Sequence, residues 1–112
     1  MSNFVQIDDF FKIQIRCGRI ISAGPFPGAK QPAFKLQIDF GKEIGIKLSS
    51  AKITELYTPN DLVGRLVLAI TNLSPKRIAG FKSEVLVLGL KSPEGIVLIR
   101  PDRDVPLGEI LH

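Results

Sequence analysis

The sequence predicts an all-β fold: a five-stranded barrel with one short helix between the third and fourth strands, plus terminal extensions. Three observations carry this. First, 10 glycines and 8 prolines punctuate the 112 residues, and no long segment repeats apolar residues at the helical period. Second, several short runs alternate apolar and polar residues, the period of a half-buried strand. Third, the elements follow the order of three strands, a helix, then two or more strands.

The first strand is expected over Lys12 to Gly24, where Ile13, Ile15 and Cys17 alternate with Gln14 and Arg16. The alternation breaks at Gly18, which predicts a bulge or sharp bend there. "PFPGAKQPA", Pro25 to Ala33, is too rich in proline for a central strand or a helix interior and is read as a loop. In "FKLQIDF", Phe34, Leu36, Ile38 and Phe40 share one face. "GKE" is read as a turn, and "IGIKL", Ile44 to Leu48, as the returning strand of a hairpin. Ser49 or Ser50 then caps an expected helix, with Ile53, Leu56 and Tyr57 on one face and Pro59 as its stop.

Arg65 to Leu73 is nearly continuous apolar sequence and predicts a central strand. A basic loop follows, then the strand runs "EVLVLGL" and "GIVLIR". The tail "PDRDVPLGEIL" is broken by proline and reads as irregular, ending in a short strand. The oligonucleotide/oligosaccharide-binding barrel, or OB-fold, has this order of elements. Neither repeat nor linker is visible, so residues 1–112 read as a single domain, a length that supports one core.

Composition narrows the function. A chain 45% hydrophobic and 23% charged is globular rather than disordered. No apolar run approaches the roughly 20 residues of a membrane span. The opening "MSNFVQIDDFF" carries acids where a signal peptide carries bases, so the expected location is cytoplasmic, without membrane insertion. One cysteine, Cys17, forms no internal disulfide and is read as core packing. With His112 as the one histidine, four-ligand zinc coordination is out of reach, and neither metal nor cofactor is expected. The net charge of +4 suits solubility, nucleic acid or acidic peptides equally.

No catalytic constellation stands out. Asp8-Asp9 and the Asp102/Asp104 pair read as solvated turns. A Ser-His-Asp triad would depend on the terminal His112. "GKEIG" lacks the spacing of a phosphate-cradling loop. The expectation is a binding module and not an enzyme.

The connection "NLSPKRIAGFKSEVLVLG", Asn72 to Gly89, concentrates the binding chemistry. Pro75 stiffens the chain, and Lys76 and Arg77 supply two cations. Gly80 permits a tight turn, and Phe81 stands beside Lys82 and Ser83. On an OB barrel the loop between strands four and five borders the ligand face. Cations there track a phosphate chain and an aromatic ring offers a surface for a base. The same residues also suit an acidic or extended peptide. A structural alternative makes Phe81 a buried plug and the bases a solvated fringe.

"NLSPKRIAGFKSEVLVL" resembles the signature of the OB-type tRNA-binding domain, N-L-x-P-x-x-x-x-G-x-x-S-x-x-M/L-x-L. "DFFKIQIRCGRI" is similar to that family's opening strand, and "YTPNDLVGRLVLAITNL" to its helix end and fourth strand. The chain departs from the tRNA-binding members at Val85-Leu86, where they have Gly-Met. Ser83 alone of the RNA-associated pair carries over, and the Val-Leu form resembles the family's chaperone-like members.

The resemblance implies a non-enzymatic protein, chaperone-like in protein export, that binds unfolded preprotein or peptide segments. The export motor ATPase and tRNA are further partners it brings into view. Lys76, Arg77 and Lys82 would anchor the ligand, with Ser83 beside them. Phe34, Ile78 and Phe81 would give an apolar floor, and Arg16, Arg19 and Lys35 would extend the positive rim. It also implies a homodimer paired through the apolar terminal residues Phe4, Phe10, Phe11, Val105, Leu107 and Ile110, which otherwise pack on their own barrel. The alternative is a structured-RNA binder using the same face, with stacking limited by 7 Phe, 1 Tyr and no Trp.

Overall fold

The computed structural model describes residues 3–112. Its centre is an antiparallel five-stranded sheet, curled into a nearly closed barrel. The strands are β1 (Ile15–Pro25), β2 (Phe34–Asp39), β3 (Ile46–Ala51), β4 (Leu66–Ile70) and β7 (Leu86–Val87). Their spatial order is β3-β2-β1-β4-β7. Two hairpins lie outside it: β5 (Lys76–Ile78) with β6 (Phe81–Ser83), and β8 (Gly89–Ser92) with β9 (Gly95–Leu98). Three helical segments are short: α1 (Ile7–Phe11), α2 (Gly41–Ile44) and α3 (Pro59–Leu62). This is the expected all-β OB barrel with a helix between its third and fourth strands.

The alternation of β2 sets the core. Leu36, Ile38 and Phe40 are fully buried and join Ile20, Val67, Ala69 and Leu62 in one cluster. Burying side chains of this size contributes about 1.5–3 kcal/mol each. β1 is long enough to serve both halves of the barrel, pairing with β4 over Ile15–Arg19 and with β2 from Arg19 onward. The expected bulge at Gly18 lies elsewhere: the register shifts between Ile20 and Ser22. Gly18 instead marks a close approach, because a Cβ there would lie 2.6 Å from Ile38 Cγ2 and 2.7 Å from Phe40 Cε1.

Three local expectations are corrected. "GKE" is not a simple turn. Residues Gly41–Ile44 form one helical turn whose first amide donates to Asp39 Oδ1 at 2.9 Å. β3 therefore begins at Ile46 and runs on to Ala51, pairing Asp39 with Ile46 and Phe34 with Ala51. The helix expected from Ser49 or Ser50 does not form: those serines belong to β3, and the helix starts at Pro59, the residue read as its stop. The physical reason is that proline suits the first helical position, where its missing N–H leaves nothing unpaired. Proline also drives its predecessor toward extended backbone. Thr58 is extended and closes a capping box: Asp61 N donates to its Oγ1 at 3.3 Å, and its own N donates to Asp61 Oδ2 at 3.0 Å. Hydrogen bonding from the Thr58 amide, and then from its hydroxyl, holds the Asp61 carboxyl below the usual range. Finally, Phe10 and Phe11 stand in α1 rather than in an opening strand.

The C-terminal tail does end as a short strand-like piece along β1. Gly108 N donates to Cys17 O at 2.8 Å, Cys17 N to Glu109 O at 3.0 Å, and Leu111 N to Ile15 O at 2.8 Å. Cys17 is buried as expected, but beside this tail and outside the barrel cluster. Burial pushes its thiol up, opposed by Arg19 and reinforced by Asp104.

β7 has two residues, too few to close the barrel by a ladder. The closure between β3 and the chain after β6 uses side chains. Leu48 N donates to Glu84 Oε1 at 3.0 Å, and Ser50 N donates to Ser83 Oγ at 3.0 Å. The buried Ser49 Oγ donates to Val85 O at 3.0 Å. Glu84 N returns a bond to Leu48 O at 2.8 Å.

Two outcomes follow from this packing. Gly18→Ala overpacks the Ile38–Phe40 contact and is expected to cost about 1–3 kcal/mol, read as a lower urea midpoint at unchanged slope. Ser83→Ala strands the Ser50 amide and is expected to cost about 1–3 kcal/mol. Hydrogen exchange should then accelerate at Ser50 while the Val67 amide stays protected.

Candidate binding groove

The basic connection is an ordered hairpin. Ala79 and Gly80, at φ 48° and 81°, form its two-residue turn, the positive-φ pair that matches the twist of the flanking strands. The register pairs Ile78 with Phe81, Arg77 with Lys82, and Lys76 with Ser83. Directly paired residues share a face. Ile78, Phe81 and Ser83, half-buried, therefore turn toward the barrel, while Arg77 and Lys82 are exposed on the other face.

Phe81 packs edge-to-face on Phe26, with ring centroids 5.4 Å apart. Phe26 belongs to the β1–β2 loop and is only 5% exposed. Lys35 Nζ sits 4.8 Å from the Phe26 centroid and 5.3 Å from that of Phe81. The hairpin is thus pinned at its tip by an aromatic pair beneath a cation. At its base it is pinned by the Ser83–Ser50 and Glu84–Leu48 bonds.

Two adjoining clefts open along the hairpin. One, of about 540 Å³, has an apolar floor that includes Ile53, Ile78, Val85 and Ile96. The other, of about 570 Å³, lies against the β1–β2 loop and carries Lys30, Lys52, Lys76 and Arg77. Ser50, Lys52, Lys76 and Ile78 line both, so the two form one groove. Glu84 is the acid in its lining, and its carboxylate is engaged by the Leu48 amide. Among the described residues, no group of three or more His, Cys, Asp or Glu is placed to hold a metal.

The structure separates the residues singled out in the sequence. Lys76, Arg77, Ile78 and Ser83 line the groove. Phe81, Lys35 and Lys82 stand at its pinned edge without lining it. Phe34 lies in the barrel core. Arg16 is half-buried and donates to Gly108 O at 2.7 Å, holding the C-terminal tail. Arg19 donates to Gly64 O at 2.8 Å and lines a different cleft. The sequence reading missed Lys30, placed in a featureless loop, and Lys52, placed in the helix that does not form. A signal for Lys30 was present, because the β1–β2 and β4–β5 loops of an OB barrel border the same face.

The terminal residues are apolar and largely open to solvent. Phe4 is 92% exposed and Phe11 56%, with Val105 at 38%. Phe10, Leu107 and Ile110 are half-buried. Among the described residues, no helix is long and apolar enough to cross a membrane.

Residues 15–110 match the family described as "Putative tRNA binding domain". The CsaA chaperone of Bacillus anthracis is 44% identical, with 97% of this chain and 99% of that one covered and a TM-score of 0.90. The CsaA chaperone protein of Picrophilus torridus is 43% identical, over 97% of this chain and 100% of the other, with a TM-score of 0.93. A methionine–tRNA ligase of Pyrococcus horikoshii is 31% identical over 105 residues, which is 94% of this chain but only 14% of the ligase. The pinned hairpin, its cationic groove and the barrel beneath it are therefore those of a tRNA-binding-domain protein: the chain belongs to that family and is a CsaA-like member of it.

Proposed function

We propose that the protein is a non-enzymatic chaperone-like binder that holds unfolded preprotein or peptide segments in the hairpin groove and assists their export from the cytoplasm. The observation that carries this is the pairing of an apolar floor with a cationic rim in a groove that presents no open aromatic ring. Ile53, Ile78, Val85 and Ile96 accept apolar side chains. Lys30, Lys52, Lys76 and Arg77 meet carboxylates or backbone carbonyls. The rings at the hairpin tip are edge-packed on each other, with Phe26 buried and Phe81 half-buried. A base needs an exposed ring face on which to stack. Similarity to two CsaA chaperones supports the same reading. The export motor ATPase is the expected receiver of the client.

The test is anisotropy titration of a labelled unfolded preprotein segment. Lys76→Gln with Arg77→Gln is expected to weaken binding roughly two- to thirtyfold, from two exposed ion pairs worth about 0.2–1 kcal/mol each. Ile78→Asp should weaken it further by placing a charge on the floor. Unchanged affinity in both variants would remove the groove from the proposal.

The alternative, tRNA or another structured RNA on the same face, is favoured by the family match and by the four cations. In that case tRNA displaces the peptide. Its affinity then falls with salt at a log–log slope of roughly −2 to −3, from three or four contacts at about −0.7 each.

The working unit is proposed as a homodimer. Exposed apolar side chains at Val5, Ile7 and Phe11, with Phe4 beside them, make a surface of the kind that self-association covers. Phe10, Val105, Leu107 and Ile110 would complete it. Sedimentation equilibrium should show a dimer for the native protein and a monomer for Phe11→Asp. A monomeric native protein at micromolar concentration would end this part of the reading.

A further inference from the structure

A second cationic cleft, of about 220 Å³, shares no lining residue with the groove. Arg19 from the middle of β1, Arg65 just before β4 and Arg100 just after β9 stand in its lining, together with Asp102 and Asp104. The fold gathers these arginines from distant parts of the sequence.

Two of them are held in place. Arg19 spends one N–H on Gly64 O at 2.8 Å. Arg65 lies with its Cζ 5.0 Å from the Tyr57 ring centroid, a cation–π contact that fixes the guanidinium plane. The protein offers no acceptor to the shielded Nε of Arg65. Among the described residues, none of the three arginines makes a salt bridge. Asp102 faces solvent and pairs instead with Arg103 at 3.9 Å, and Asp104 is exposed.

Three arginines against two aspartates leave the lining of this small cleft with a net positive charge, which attracts an anion. Each guanidinium presents a planar fork of donors that matches two oxygens at once. A carboxylate has two oxygens and satisfies one fork. A phosphate has oxygens enough to meet several, and the cleft is sized for one such group rather than for a stretch of polymer.

We propose that the cleft formed by Arg19, Arg65 and Arg100 is a phosphate-binding site, taking free phosphate or the phosphoryl end of a larger ligand. It does not depend on what the hairpin groove binds. Arg100, exposed and not hydrogen-bonded to another element, closes on the ligand, while Arg19 and Arg65 are preset. Asp102 and Asp104 oppose the anion and keep affinity moderate.

The test is an NMR titration of the intact protein with inorganic phosphate, following the Gly64 and Leu66 amides, with acetate at equal ionic strength as the control. Saturable shifts with phosphate and none with acetate are expected. Arg100→Gln should weaken binding about tenfold or more, the value of a charge-assisted hydrogen bond. Asp104→Asn should tighten it, and the Lys76→Gln/Arg77→Gln double variant should leave it unchanged. Arg100 is the deciding position because it supports no other element, and the amide spectrum itself reports that the variant is folded. Adenosine 5′-monophosphate, titrated separately, distinguishes the sources. Affinity equal to that of phosphate assigns a free-phosphate site, and tighter binding assigns a phosphoryl-terminated ligand. Absence of saturation by roughly 20 mM phosphate, equal shifts with acetate, or undiminished binding in Arg100→Gln would each overturn the proposal.

Discussion

The structure depends on how the barrel closes between β3 and the chain leaving the hairpin. β7 contributes two residues and pairs with β4, so no ladder reaches β3. An open β3 edge would leave the half-buried Leu48 and Ser50 amides without a protein partner, at a cost no small barrel carries easily. The Ser83 and Glu84 side chains accept from the Ser50 and Leu48 amides, Ser49 Oγ donates to Val85 O, and the Glu84 and Val85 amides donate to Leu48 O. These bonds tie the base of the β5–β6 hairpin to β3 at the same points. The groove is the space that this tie leaves between hairpin and barrel, so fold and groove share one set of bonds.

The same bonds shape the electrostatics. Glu84 is the acid in the groove lining and offsets part of the cationic rim. The Leu48 amide fixes that carboxylate at the barrel closure, and the four cations of the rim outnumber it. At the hairpin tip, Lys35 is spent on the Phe26–Phe81 pair, where a cation over two rings stabilises the contact. The aromatic that looked available in the sequence is thereby consumed in positioning. What remains open to a ligand is charge and aliphatic surface.

Much of the fold was legible because it rests on local periodicity. The alternation from Phe34 to Phe40 named four core residues correctly, since side chains in a strand point to opposite faces in turn. The helix between strands was placed between the right strands but on the wrong residues. Ser49 and Ser50 look like caps in sequence, yet their amide and hydroxyl groups bond across the barrel closure. Thr58 and Pro59 carry the stronger local signal, a capping box followed by proline at the first helical position. Gly18 was read as a bend because a glycine in a strand suggests one. Only the packed barrel shows that its missing side chain makes room for Ile38 and Phe40.

The sequence by itself determined the fold class, the core face of β2, the family signature and the position of the basic hairpin. All of these reside in spacing along the chain. The tertiary structure decided which charges meet. It sent Arg16 to the C-terminal tail and Arg19 to a cleft with Arg65 and Arg100. It brought Lys30 and Lys52 to the hairpin groove. Those placements come from contacts between residues far apart in sequence, made only once the strands have paired and the barrel has closed.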